Sequence, residues 1–147
     1  MDHLIKFEKF SYKESDDNRI IGDILNIASD KGYQAGLLTF SFSQMGIWLS
    51  YNPETMEEVI NNREDSMETF TNVLNRLDNI IDVKGCDIVK WSKVETFGTR
   101  STSEISTYMV PKFRHEEDVI LNMDDVINAM RKGIFNCGVR LFFDYQN

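Results

Sequence analysis

The chain has few of the residues that carry metal, redox or nucleophilic chemistry. Its 147 residues include two histidines, two cysteines and two prolines. A zinc site needs several Cys or His ligands at helical or turn spacing, and this chain does not supply them. Cys86 and Cys137 form no C-x-x-C pair, so we expect two buried, reduced thiols rather than a disulfide framework. We therefore predict neither a metal nor a cofactor.

Sequence signals for export, for a membrane span and for nucleotide or acyl chemistry are missing too. The N-terminus is charged from Asp2 onward and has no apolar h-region, so it lacks the pattern of a signal peptide. The most apolar stretch, residues 35–49, contains several polar side chains and is too short to span a bilayer. None of the motifs G-x-S-x-G, G-x-x-x-x-G-K-[ST] and G-x-G-x-x-G is present. We expect a cytoplasmic protein without membrane contacts, and a binding role rather than catalysis.

Positive charge is scarce. The chain has 16 Lys and Arg residues against 24 Asp and Glu residues, which gives a net charge of −8. Nucleic acids and anionic membranes are held by basic surfaces, so direct binding to either is not expected. An acidic protein is instead attracted to basic partners, and we expect the partner to be a basic protein.

Apolar residues are plentiful enough for a packed core. Hydrophobic residues make up 41% of the chain and aromatic residues 12%, whereas disordered chains are poor in both. The length fits one domain, and no repeat or Pro/Gly/Ser-rich linker divides it. We predict a single globular α+β domain over residues 1–147, with an antiparallel or mixed β-sheet and about three helices packed mainly on one side.

Hydrophobic periodicity and capping residues predict the elements of this domain. In the first half we expect strands near residues 4–12, 38–43 and 47–51, a turn at 44–46, and a helix over 17–31 that stops at Lys31-Gly32. In the second half we expect strands at 87–97, 104–113 and 139–145, a polar loop at 98–103, and a helix over 123–132. The last strand has apolar residues on both faces, which is typical of a strand in the middle of a sheet.

A long helix is predicted between these halves. Asn52-Pro53 is a helix-start signal, with Asn as the cap and Pro in the first helical position. The helix extends to about residue 82, or is divided by a second cap at Ser66. Its stripe of Met67, Phe70, Leu74, Leu77 and Ile81 indicates core packing rather than a cofactor site. We expect the following residues to share one core: Phe40, Phe42, Leu74, Leu77, Leu141 and Phe143.

Residues 51–86 concentrate the negative charge. They contain eight acidic and three basic residues, a net charge of −5. Glu57, Asn61, Glu64 and Glu68 fall on one helical face at spacings of four, three and four. Such faces are often merely solvated, and the alternative is a surface that meets a basic partner protein. For that surface we predict these residues: Glu57, Glu64, Glu68, Glu54 and Asp65.

Residues 87–115 reverse the charge balance, with five basic and three acidic residues. Lysines on outer strands commonly protect a sheet edge from unwanted pairing. Alternatively, the hydroxyl-rich loop at 98–103 could hold an anion such as phosphate, because Arg is suited to bidentate phosphate contacts. The predicted anion-binding residues are Arg100, Thr99, Ser101, Lys93 and His115.

Two further chemistries are weaker alternatives. Glu116, Glu117 and Asp118 with Asp124 and Asp125 could hold Mg²⁺ or Ca²⁺ through carboxylates, but the D-x-[DN]-x-[DN]-G pattern is missing. Cys137 could pair with His115 as nucleophile and base, although a Cys before a very apolar strand is more typical of a core residue.

These observations leave three functions from different classes. The leading hypothesis is an intracellular protein-binding module, such as an inhibitor, an immunity-type protein or a bacterial or phage accessory protein, that covers a basic surface. The second is a small enzyme or sensor that binds a phosphorylated ligand at residues 98–103. The third is a structural subunit of a homo-oligomeric assembly.

Overall fold

A computed structural model describes the backbone of residues 12–39, 45–91, 94–96, 99–101, 104–108 and 120–146, with side chains for 16–38, 45–91 and 120–146. Several predictions lie outside these residues: residues 4–11 of the strand predicted near 4–12, the core residues Phe40 and Phe42, and the anion-site residues Lys93 and His115. The last residue of that predicted strand, Tyr12, instead begins a helix, which therefore starts earlier than the predicted residue 17. No helix among the described residues is long and apolar enough to cross a membrane.

The described part of the chain contains three helices and seven strands. In order they are α1 (Tyr12–Ser29), β1 (Gln34–Thr39), β2 (Met45–Ser50), α2 (Met56–Leu77), β3 (Ile81–Lys90), β4 (Val94–Thr96), β5 (Thr99–Ser101), β6 (Glu104–Tyr108), α3 (Met123–Lys132) and β7 (Asn136–Tyr145). Five strands form one sheet in the order β1-β2-β7-β3-β6, and every pairing in it is antiparallel. The predicted α+β class, with helices packed on the sheet, is confirmed.

The end of α1 follows the predicted stop signal. Gly32 has a φ of +91°, a left-handed conformation that glycine adopts without steric cost. The backbone N–H of Gly32 donates to Ser29 O at 2.9 Å, and the N–H of Tyr33 donates to Ala28 O at 3.1 Å. These two bonds form the Schellman motif, which satisfies carbonyls at the helix end.

The start of α2 differs from the prediction. Thr55, not Asn52, is the N-cap, and its side chain accepts from the N–H of Glu58 at 3.1 Å. The Glu58 carboxylate in turn accepts from the N–H of Glu54 at 2.5 Å, which resembles a capping box. Pro53 is buried before the helix, and its carbonyl accepts from Trp91 Nε1 at 2.9 Å. Asn52-Pro53 therefore anchors a loop rather than beginning the helix.

The end of α2 corrects a second boundary. The helix is continuous through Ser66, which is buried and donates its hydroxyl to Arg63 O at 3.1 Å. It stops at Leu77 with Asp78 as C-cap, so Ile81 belongs to β3 and not to the helix. In β3, Ile81 and Val83 are buried while their neighbours are only partly covered. This period of two is the pattern of a strand with one buried face.

The segment after β3 also differs from the predicted hairpin of residues 87–97 and 104–113. β3 begins earlier, at Ile81, and ends at Lys90. The N–H of the next residue, Trp91, donates to Phe135 O at 2.8 Å, and its ring nitrogen donates to Pro53 O. The return strand is β6, with Lys90 opposite Glu104. Between them β4 and β5 form a separate antiparallel pair, so Thr99–Ser101 is a strand where a loop was predicted.

β7 lies in the middle of the sheet, as predicted, between β2 and β3. Leu141 is opposite Ile47 on one side and Cys86 on the other, and all three side chains are buried. Gly138 allows the close approach of β2, because an added Cβ would lie 2.2 Å from the Leu49 carbonyl oxygen. β2 and β7 therefore pack closely at Gly138.

One core joins the helices to a single face of the sheet. Four of the predicted core residues, Leu74, Leu77, Leu141 and Phe143, are at most 1% exposed and lie in it. The two cysteines are buried and free, which confirms their prediction. Burial raises the pKa of each thiol to about 12, with a smaller contribution from Asp87 at Cys86.

The opposite face of the sheet carries a polar and aromatic row. Gly36, Trp48, Arg140 and Asp87 occupy neighbouring positions on four adjacent strands. The Trp48 ring lies against Gly36, since an added Cβ there would be 3.1 Å from the ring. Arg140 Nη2 is 3.3 Å from Asp87 Oδ2, and both side chains are partly covered. This ion pair has no signal in the sequence, because it joins strands that are not consecutive in the chain.

Candidate functional site

The predicted acidic face lies on the outer side of α2. Val59, Phe70 and Leu77 on the inner side are completely buried, whereas Glu57, Glu64 and Glu68 are exposed. We call these three glutamates the acidic ridge. At 1.5 Å of rise per residue, the spacing along the axis is ~10 Å from Glu57 to Glu64 and ~6 Å from Glu64 to Glu68. The helix therefore presents three carboxylates in a row.

The acidic ridge has no internal counter-charge among the described side chains. The carboxylates that form ion pairs in this part of the chain are Asp16, Asp65, Asp144 and Asp87, with Arg19, Lys31, Lys84 and Arg140 respectively. None of the three ridge glutamates is among them. No described side chain therefore neutralises these three negative charges at ion-pair distance.

Asp65 and Glu54 have different surroundings from the ridge. Asp65 Oδ1 accepts from Lys31 Nζ at 2.6 Å, and Oδ2 accepts from the hydroxyl of Tyr33. The bonds from Lys31 and Tyr33 lower the pKa of Asp65, and desolvation together with the bond to Asp65 raises the pKa of Tyr33. Asp65 is thus exposed but already engaged in holding the end of α1 against α2. Glu54 is exposed beyond the cap of α2, at the N-terminal end of the ridge.

Beside the ridge, one flank of α2 changes from exposed to buried along its length. Met56, Ile60, Met67 and Leu74 follow one another at spacings of four and seven, which places them on one side of a helix. Met67 and Leu74 are at most 2% exposed, but Met56 is 49% and Ile60 is 54% exposed. This exposure was not predicted. The predicted core stripe included Met67 and Leu74 but neither Met56 nor Ile60, and spacing alone does not separate these two pairs of residues.

The position of α3 explains the change. Arg63 Nη1 donates to Gly133 O at 2.7 Å, and Nη2 donates to Arg131 O. Arg131 Nη1 in turn donates to Thr71 Oγ1 at 3.2 Å. The C-terminus of α3 therefore lies beside residues 63–71 of α2, and the first two turns of α2 extend past it.

The carbonyls at the end of α3 are satisfied by two side chains. Asn136 Nδ2 donates to Ala129 O at 3.2 Å and to Met130 O at 3.0 Å, while Arg63 binds the carbonyls of Arg131 and Gly133. A cation at this position also interacts favourably with the helix dipole. These contacts hold the turn between α3 and β7, which carries the exposed Ile134, against α2.

The predicted anion site is described only in its backbone. Thr99, Arg100 and Ser101 form β5, with Arg100 opposite Glu95 of β4. The side chains of these residues lie outside the described part, as do Lys93 and His115. The anion site therefore stays a prediction.

Metal and nucleophilic chemistry gain no support from the residues that the structure describes. Within them, no group of three His, Cys, Asp or Glu side chains could hold a metal ion. Cys137 is completely buried, and its raised pKa keeps the thiol protonated near neutral pH. Comparison of the chain with protein-family models, with curated proteins and with solved structures gives no significant match.

Proposed function

We propose that this protein is an intracellular acidic binding module, of the kind formed by inhibitors, immunity-type proteins and bacterial or phage accessory proteins. In this proposal it covers a basic surface on a partner protein through the acidic ridge of α2. One observation carries the proposal: Glu57, Glu64 and Glu68 are exposed in a row and have no ion-pair partner among the described side chains.

The charge arrangement favours fast encounter with such a partner. The net charge of −8 attracts a basic protein at long range, and the ridge gives that attraction a direction. Electrostatic complementarity of this type contributes more to association rate and specificity than to affinity. A module that must capture an enzyme or toxin quickly gains most from this property.

The support beneath the ridge also favours binding. The inner side of α2 is packed into the core, and its two ends are fixed by the Thr55 cap and by Asp78. A surface held on such an element loses little conformational entropy when a partner docks, so more of the contact energy appears as affinity.

The test is affinity capture from the source cell with the full chain, followed by mass spectrometry. The ridge variant carries Glu57→Lys, Glu64→Lys and Glu68→Lys. A matched control carries the same charge change at three exposed acids outside α2 and its caps: Asp23→Lys, Asp30→Lys and Asp124→Lys. We expect the wild type and the control to retain a stoichiometric basic protein, and the ridge variant to lose it. Equal capture by all three proteins would contradict the proposal.

A further inference from the structure

The acidic ridge borders an exposed apolar patch, which we define as Met56, Ile60 and Ile134. Their exposed fractions are 49%, 54% and 55%. Single exposed apolar residues are normal on protein surfaces, but several together mark a site of interaction. The other large apolar side chains with comparable exposure in the described residues, Ile20 and Ile120, belong to different parts of the fold.

Hydrogen bonds on both sides of Ile134 place it beside the first turns of α2. The carbonyl of the preceding residue, Gly133, accepts from Arg63 at 2.7 Å. The carbonyl of the following residue, Phe135, accepts from the N–H of Trp91, whose ring nitrogen is 2.9 Å from Pro53 O. The turn that carries Ile134 is therefore tied to α2 through Arg63 and, by way of Trp91, to Pro53 just before α2.

The patch and the ridge are neighbours on the helix surface. Ile60 follows Glu57 by three residues and precedes Glu64 by four, and both spacings place side chains in contact range on one face. An apolar row and an acidic row thus run side by side along α2. An apolar contact bordered by charged groups is the usual composition of a protein interface.

We infer that the patch and the ridge form one docking site for a basic amphipathic helix of the partner protein. Apolar residues of that helix cover Met56, Ile60 and Ile134, and its Lys or Arg residues face Glu57, Glu64 and Glu68. A helix fits because its i, i+4, i+7 and i+11 positions match the spacing of the two rows, and an amphipathic helix on an apolar surface is a common recognition mode. This inference rests on the proposed function and adds the kind of partner to it.

The test uses two synthetic peptides of about 18 residues, a length at which helices form more readily. Both contain the same Leu and Lys residues. In the amphipathic peptide they lie on separate sides of the helix, and in the scrambled peptide they are mixed. Fluorescence anisotropy with the full-length protein gives the Kd of each peptide. The variants are Ile60→Ser and Ile134→Ser, with Ile20→Ser as a control at an isolated isoleucine that is 45% exposed.

We expect each patch variant to weaken the amphipathic peptide at least about tenfold, as for a central apolar anchor. The scrambled peptide and the Ile20→Ser control should change by less than about twofold, which corresponds to under half a kcal/mol. The inference is overturned if Ile60→Ser and Ile134→Ser change binding no more than Ile20→Ser does. If the ridge variant still weakens both peptides in that case, the proposed function stands without the helix. If the ridge variant binds both peptides like the wild type, the proposed function fails as well.

Discussion

A substitution at Arg63 tests the contact between α2 and α3 without changing the glutamates of the acidic ridge. It lies within the acidic segment of α2, yet its guanidinium points inward to the end of α3 and binds the carbonyls of Gly133 and Arg131. Arg63→Met keeps most of the aliphatic stem and removes the charged fork. The change therefore tests the two hydrogen bonds with little loss of packing.

The expected cost follows from these contacts. A hydrogen bond from a charged donor contributes about 1.5–3 kcal/mol to stability, and a cation at a helix C-terminus adds about 0.3–1 kcal/mol. Arg63 is only partly buried. Water can therefore hydrogen-bond to the two carbonyls once the guanidinium is removed, which reduces the loss of stability. We expect Arg63→Met to lower the free energy of unfolding by about 2 kcal/mol, or a melting temperature by about 4–8 °C for a chain of this size. Arg63→Lys keeps the charge but cannot span both carbonyls, and should cost about half as much.

Urea unfolding followed by circular dichroism measures this effect. Arg76→Met is the matched control, because Arg76 lies on the same helix and, among the described residues, its side chain bonds to the exposed Asn72 alone. Its cost should stay within about 1 kcal/mol, since it loses mainly the favourable interaction of a cation with the helix C-terminus. The reasoning is refuted if Arg63→Met costs no more than Arg76→Met, since the carbonyls of α3 would then be equally well satisfied by water.

Three further predictions concern the core, the sheet and acid sensitivity. Leu77→Ala should lower the unfolding free energy by about 2–5 kcal/mol because Leu77 is fully buried; a urea midpoint that implies less than about 0.5 kcal/mol would contradict this. Gly138→Ala should destabilise the protein by about 1–3 kcal/mol or more, since the added Cβ would clash with β2. Calorimetry measures this change, and Gly22→Ala is the control because nothing lies within 4 Å of a Cβ added there. The pKa of Asp65 is lowered in the folded protein, so its contacts stabilise the fold above the ordinary Asp pKa of 3.8 and cease to do so as the pH falls through the folded pKa. The stability difference between wild type and Asp65→Asn should therefore be constant near neutral pH and shrink below about pH 4 in acid titrations; a difference that persists in acid would contradict it.

Capping and stop residues in the sequence correctly predicted the helix ends that depend only on neighbouring residues. The helix over Met123–Lys132 was predicted with its observed bounds, because Asn122 caps it through the N–H of Asp124 and Gly133 ends it. The stop after α1 was equally local, since only a few residues around Gly32 form the Schellman motif. The exposure of Glu57, Glu64 and Glu68 followed from helical periodicity alone.

Predictions failed where distant residues decide the outcome. Pro53 has the features of a first helical residue, but its carbonyl accepts from Trp91, which is 38 positions away, and the helix begins later, at Met56 after the Thr55 cap. Ile81 continues the apolar stripe of α2, yet pairing with Tyr145 of β7 draws it into the sheet. Neither contact can be predicted from the residues that are next to Pro53 or Ile81 in the chain.

The exposure of Ile60 shows the same dependence at the candidate site. The spacing of α2 does not distinguish Ile60 from Met67, yet Ile60 is 54% and Met67 is 2% exposed. The end of α3 is bound to α2 from Arg63 to Thr71, and the bond from Arg63 to Gly133 holds the turn that carries Ile134 against α2. Loss of that bond would free the turn that carries Ile134 while leaving the ridge glutamates in place. Stability and surface shape are therefore coupled through Arg63, although its side chain belongs to neither the ridge nor the patch.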